Sequence, residues 1–191
     1  VLDAMERHGA VAGWIVDDTG IPKKGRHSVG VARQYCGVLG KQDNCQVAVS
    51  LTLANEAVSV PAAYRLYLPE AWAKDRKRRA AVGVPKTVKF QTKWQIALDM
   101  IDSVRAEGLP GAPVLADAGY GVVTAFRDAL TERQMPYVVG ISRETTVWPP
   151  GLEPLPPKRS SGKGRPPSRI RRSSKRKPAP VLALAKHAPA S

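Results

Sequence analysis

The chain has 191 residues, with 30 Lys or Arg against 16 Asp or Glu and a formal charge of +14. That length supports one domain with a real core plus a tail, and the charge favours a polyanionic partner, most simply nucleic acid, over a small neutral ligand. Cys36 and Cys45 are too few for a disulfide framework and match no zinc spacing, and no apolar run approaches the ~18 residues of a membrane span. Both thiols are expected to be small, reduced and half-buried, and the protein cytoplasmic. The chain opens on Val1 rather than Met, which suggests a fragment or a processed product. Part of the charge lies in a tail: residues 158–186 hold eleven Lys or Arg and no acid, which leaves a mildly basic body.

In chain order, residues 11–18 form an apolar run ending in Asp17-Asp18, expected to be a central strand buried on both faces. Residues 28–39 and 44–53 are rich in β-formers and flank a Gly-Lys-Gln-Asp turn, the pattern of a hairpin. In the second, Val47, Val49, Leu51 and Leu53 alternate with Gln46, Ala48, Ser50 and Thr52, the period of a one-sided strand. "YRLYLP" suggests another strand and "EAWAKDRKRRAAVG" a short, very basic helix or loop. Residues 92–107 make the strongest helix, with Thr92 as N-cap, a broad apolar face from Trp94 to Val104, and Gly108 to end it. "PVLAD", residues 113–117, is a second apolar run that ends in an acid. A helix over 120–133 and a strand over 137–141 follow. The order β, hairpin, helix, β, helix, β gives an α/β fold: an antiparallel meander followed by βαβ crossovers, a mixed sheet covered by helices. From Trp148 the sequence turns to Pro, Gly, Ser and basic residues. Residues 1–150 are therefore expected to form the folded core and 151–191 a disordered basic tail or linker.

"WIVDD" and "PVLAD" each end in an acid followed by a turn. On neighbouring strands, Asp18 and Asp117 would stand side by side at the carboxyl edge, where open α/β sheets place their sites. Two close carboxylates repel unless a cation lies between them. Magnesium suits such a pair because it accepts one or two carboxylates, keeps several waters and shares phosphate oxygens. Two such ions would activate a water and stabilise a leaving 3′ oxygen in phosphodiester cleavage. The same acid-then-turn pattern is also an ordinary strand ending, with Asp and Gly supplying the turn.

"DDTGIPKKGRHSVGVARQYCGVLGKQDNCQVAVS", "RLYLPEAW", "VPKTVKFQTKWQIAL", "VLADAGYG" and "YVVGISRETTVWP" together resemble the catalytic core of bacterial insertion-sequence transposases of the DDE superfamily endonuclease type. The resemblance runs from about Trp14 to Pro150 and rests on the order and spacing of the blocks. It implies an RNase H-like fold and cutting and joining of transposon ends with Mg²⁺ or Mn²⁺, two ions in the complete enzyme. It also implies DNA as partner, at insertion-sequence ends and target, a nucleoid location, and a homodimer on DNA among its assemblies. "DDTG" looks like the first acid of the triad and "ADAGYG" like the second. Asp18 is assigned the ligand role because the family's first acid is followed by Thr or a similar small polar residue, here Thr19. Strand alternation puts Asp17 on the opposite face, so Asp17 and Thr19 are expected to support the site rather than hold the metal. The family's third acid, a Glu on a later helix, has no counterpart here. Glu132, Glu144 and Glu153 follow Asp117, but none sits in sequence resembling that helix. By resemblance the expected function is a DNA transposase fragment, inactive if the third acid is missing.

Lys23, Lys24 and Arg26 after the first acid, and Lys74, Arg76, Lys77, Arg78 and Arg79 in "KDRKRR", are candidate DNA-phosphate contacts, against the ordinary reading of solvated basic turns. His27 is a lone turn histidine. Trp72 and Trp94 could stack on a flipped base, although aromatics in apolar helix patterns usually belong to the core. "SGKGRPP" lacks the preceding strand and the spacing of a phosphate loop. Two other functions compete: a noncatalytic DNA-binding remnant, and an aspartate-based phosphatase. The latter wants D-x-D at the strand end, where Val16 precedes Asp18 by two and Thr19 follows Asp17 by two.

Overall fold

The computed structural model describes residues 2–160, 162 and 164–186. The chain divides into two compact units, Val1–Gly140 and Ile141–Ser191.

The first unit opens with a short helix α1 (Leu2–Glu6), then strands β1 (Gly13–Pro22), β2 (Ala32–Cys36), β3 (Lys41–Ala54) and β4 (Ser59–Leu66). Helices α2 (Glu70–Lys74), α3 (Arg76–Ala81) and α4 (Lys93–Ala106) follow. The unit closes with β5 (Val114–Ala116), α5 (Ala118–Gly121), α6 (Thr124–Glu132) and β6 (Tyr137–Val139). One six-stranded sheet runs β2-β3-β1-β5-β6, with β4 also paired to β3. The β1–β3, β2–β3 and β3–β4 pairs are antiparallel; β1–β5 and β5–β6 are parallel. An antiparallel meander extended by parallel crossovers is the mixed α/β sheet expected, and it is consistent with an RNase H-like core.

β3 shows its period of two directly: Cys45, Val47, Val49, Leu51 and Leu53 are buried, and the intervening side chains are more exposed, apart from Ser50, whose hydroxyl bonds the Asp17 carbonyl. α4 lays Ile96, Ala97, Met100, Ile101 and Val104 on Trp14, Val16, Leu51 and Val114 of the sheet, and Phe126 and Leu130 of α6 join the same core. Its start is capped as the sequence suggests, with Gln95 Oε1 accepting from the Thr92 backbone N–H (2.8 Å) and hydroxyl (2.9 Å). Gly108, at φ +77°, takes the left-handed conformation that ends it.

Three expectations need correction. β1 is buried on one face only: Trp14 and Val16 are inaccessible, whereas Ile15 is 37% exposed and forms an open row with Leu115 and Val138 of the adjoining strands. The first hairpin strand shrinks to Ala32–Cys36 and the turn moves back to Gly37–Gly40, because Gly40 supplies the left-handed residue (φ 63°) that reverses the chain. The helix over 120–133 becomes two: Asp117 caps a turn that begins early, and Val123 is extended (ψ 106°), so α6 restarts at Thr124.

In the second unit, β7 (Thr146–Val147) pairs antiparallel with β8 (Ala179–Pro180), helix α7 (Val181–Ala185) follows, and Leu155 bridges Arg171. Its Pro-, Ser- and Arg-rich composition offers little to bury, and none of its described residues is buried. Among the described residues, no helix is long and apolar enough to cross a membrane.

Candidate acidic edge and basic surface

β1 and β5 run in parallel with Trp14 opposite Val114, Ile15 opposite Leu115 and Val16 opposite Ala116. β1 does not end at Asp18 as expected but runs on to Pro22 along β3. Asp17 and Asp18 follow the stretch of β1 that pairs with β5, and Asp117 follows β5, so the acids stand where the parallel pairing ends. Asp17, Asp18, Thr19 and Asp117 line one open cavity of about 510 Å³, walled on its other side by Tyr35, Gly37 and Val38 of the hairpin. Within β1, Asp18 shares the helix-covered face with Trp14 and Val16, and Asp17 shares the opposite face with Ile15. The exposed Asp17 carboxylate accepts from the backbone N–H of Asp18 at 2.7 Å. β5 ends at Ala116, and Asp117 turns out of the strand to cap α5, with Oδ1 accepting from the Gly119 N–H at 2.8 Å.

Asp18 has two partners that the sequence analysis did not single out. The Lys93 ammonium, in the first turn of α4, forms an ion pair with Oδ2, and the Tyr120 hydroxyl of α5 donates to Oδ1. Tyr120 is buried and packs on Phe126 with ring centroids 5.7 Å apart. Burial, and next the charge of Asp18, push its hydroxyl well above the usual phenol range, so it remains a donor. A local signal for Lys93 did exist: a cation in the first turn of a helix opposes the macrodipole and needs a reason. Tyr120 had only its place three residues after Asp117, which becomes informative once the capped turn of α5 is known.

The two basic segments meet. The loop after β1 is tied down by Asn44, whose side chain donates to the carbonyls of Lys23 (2.6 Å) and Gly25 (2.9 Å). Arg78 donates to the Arg26 carbonyl at 2.6 Å while its guanidinium lies 3.6 Å above the Trp72 ring. Arg79 spends its donors on the carbonyls of Ala73, Pro85 and Val88. These two arginines therefore clamp the fold, whereas Lys24, Arg26, Arg76 and Lys77 present exposed charge; Lys74 is exposed beside Glu70, 2.8 Å away. Trp72 is buried, and its indole N–H donates to the Val31 carbonyl at 2.7 Å, so it is a core residue rather than a stacking platform. Trp94 is half-buried against the main core.

The acidic edge offers only oxygen donors, the set a hard divalent cation takes. Among the described residues, no group of three or more His, Cys, Asp or Glu side chains is placed to hold a metal ion. Glu132 is exposed at the end of α6, and Glu144 and Glu153 belong to the second unit. Both cysteines are free and more deeply buried than expected, in a small cluster with Val47, and burial pushes the Cys45 thiol up.

A mixed sheet of this order, with acidic side chains lining one cavity beyond the β1–β5 pairing, is an α/β core consistent with the RNase H-like class. The family model described as DDE superfamily endonuclease matches residues 1–191, and the chain belongs to that family. It is 34% identical over 128 residues to the probable transposase for insertion sequence element IS701 of Microchaete diplosiphon, an alignment covering 66% of this chain and 31% of that protein. The chain thus spans less than a third of that relative's length. No solved structure matches it.

Proposed function

We propose that the chain is the acid-bearing part of an insertion-sequence transposase, acting in metal-dependent phosphodiester cleavage and strand transfer on DNA. The observation that carries this reading is that Asp18 and Asp117 line one cavity just beyond the parallel pairing of β1 with β5. In this reading the two carboxylates hold Mg²⁺ or Mn²⁺, with water and phosphate oxygens filling the remaining positions. The metal would supply an activated water and stabilisation of the leaving 3′ oxygen. Tyr120 orients the Asp18 carboxylate, and the Asp117 side chain is oriented by the Gly119 N–H. Asp17 and Thr19 border the ligands. Lys23, Lys24, Arg26, Lys74, Arg76 and Lys77 offer charge to the phosphate backbone, set by the clamps of Arg78 and Arg79.

Mn²⁺ titration of the chain with Asp18→Asn and Asp117→Asn variants tests the reading. Each substitution should weaken binding by about tenfold or more, a scale set by losing one of two ligating charges. Asp17→Asn should weaken it less. Affinity untouched by both ligand substitutions refutes the shared site.

A further inference from the structure

Both oxygens of Asp18 are engaged, by groups of different kinds. Tyr120 is 3% exposed and fixed against Phe126, so its hydroxyl holds Oδ1 in one place. Lys93 reaches Oδ2 on a flexible four-carbon stem, and its side chain is 35% exposed beside an Asp18 side chain that is 27% exposed. An ion pair with that much solvent access is weak enough to open. α4 does not need a lysine at this position: Thr92 and Gln95 cap the helix without it, and the macrodipole disfavours a cation there. While paired with Asp18, the Lys93 ammonium also lies 5.7 Å from the centroid of the Tyr67 ring, whose face is a neighbouring site that a displaced cation can use.

We propose that Lys93 is a stand-in cation for the acidic edge: its ammonium neutralises Asp18 in the metal-free protein, competes with a divalent ion for Oδ2, and withdraws toward the Tyr67 ring when the ion takes the carboxylate. This inference rests on the reading of Asp18 as a metal ligand. The physical argument is charge balance. Asp17, Asp18 and Asp117 border one cavity, and an unneutralised cluster of that kind destabilises the fold. An ammonium on Oδ2 relieves the repulsion without committing the carboxylate. A divalent ion brought to the same oxygen repels the ammonium, so the two exclude each other.

The test is Mn²⁺ binding without DNA, followed by the electron paramagnetic resonance signal of the free ion, for wild type, Lys93→Met, Lys93→Gln and Asp18→Asn. Lys93→Met should bind Mn²⁺ about tenfold tighter, the scale of removing one competing charge from a partly solvated site. Its metal-free melting temperature should fall, and the rise on adding Mn²⁺ should exceed that of wild type. Lys93→Gln keeps two of the four methylenes and a hydrogen-bond donor without the charge. It should also tighten binding, and it serves if Lys93→Met fails to fold. Affinity unchanged or weakened in the folded lysine variants overturns the proposal, because a purely structural or ligand-orienting lysine predicts that result. If Asp18→Asn leaves Mn²⁺ affinity unchanged, the metal reading itself fails. If Asp18→Asn weakens binding and neither lysine variant tightens it, only the stand-in role falls.

Discussion

Gly121→Ala tests whether the acidic edge depends on backbone packing. Gly121 lies at the end of α5, against the end of β6. A Cβ there would sit 1.9 Å from the Gly140 carbonyl oxygen, 2.9 Å from Val139 Cβ and 3.0 Å from the Gly140 carbonyl carbon. None of these is the mobile tip of a side chain. Gly140 is also pinned, since its N–H donates to the Ala116 carbonyl at 2.9 Å, one residue before Asp117. Ordinary contact would require α5 and β6 to separate by roughly 1.5 Å. Alanine gains at most about 1 kcal/mol in helix propensity over glycine, and less at a helix end. Overpacking a tight contact costs about 3 kcal/mol when backbone must move. The clash therefore wins, and a net loss of about 2 kcal/mol or more is expected, a drop in Tm of roughly 4–8 °C for a unit of this size. Urea unfolding followed by tryptophan fluorescence measures it. Gly111→Ala is the control, because its Cβ would meet nothing within 4 Å, and it should stay within about 0.5 kcal/mol of wild type. Mn²⁺ affinity should fall with Gly121→Ala, since α5 carries Tyr120 and is capped by Asp117. A Gly121→Ala protein as stable as wild type would refute the close approach of α5 to β6.

Asp102→Asn should destabilise the chain by about 0.5–1 kcal/mol at neutral pH, allowing for the partial exposure of its bidentate pair with Arg133 (2.8 and 2.7 Å). The Arg133 hydrogen bonds hold the Asp102 carboxyl below its usual value of 3.8, so the contribution is present above that value and is lost as pH falls below it. Urea midpoints of the two proteins should therefore differ steadily from pH 7 to about 5 and converge below about 4, and a gap still open in strong acid contradicts the assignment. Affinity for duplex DNA should fall linearly with the logarithm of salt, by about 0.9 per phosphate neutralised, and deleting residues 158–191 should flatten the slope, since eleven Lys or Arg lie there. Salt-independent binding would point away from a polyanion.

The elements legible in the sequence were those whose signal is local. The alternation of Val47, Val49, Leu51 and Leu53 needs only one covered face, and the structure supplies it. α4 combined an apolar stripe with Thr92 and Gly108 at its ends, and each does there what its chemistry suggests. β1 was less legible because Trp14, Ile15 and Val16 are apolar on both parities, and local pattern does not say that helices cover only one of them. Gly37 and Gly40 both offered a turn, and only the backbone angle separates them. The site divides in the same way. The acids stood out because each follows an apolar run in the sequence, although β1 itself continues past them to Pro22, whereas Lys93 and Tyr120 reach Asp18 across 75 and 102 residues of chain.

The choice of cation at each ion pair follows the job that the pair does. Among the described residues, three ion pairs join separate elements of the first unit. Two use arginine: Arg65 ties β4 to α4 through Asp99 at 2.9 Å, and Arg133 ties the end of α6 to α4 through Asp102. Arginine suits a permanent tie because its planar fork keeps its charge and can hold a carboxylate at two points. The pair at the acidic edge uses lysine, a point charge on a flexible stem with three rotatable donors. An arginine on Asp18 could bridge both oxygens and would compete with Tyr120 for Oδ1. Lysine on Oδ2 alone leaves the tyrosine to orient the carboxylate and can itself be exchanged. The edge is thus packed by close backbone approaches, at Gly121 against Gly140 and at Gly20 against Cys36, while its charge is balanced by a lysine on a flexible stem.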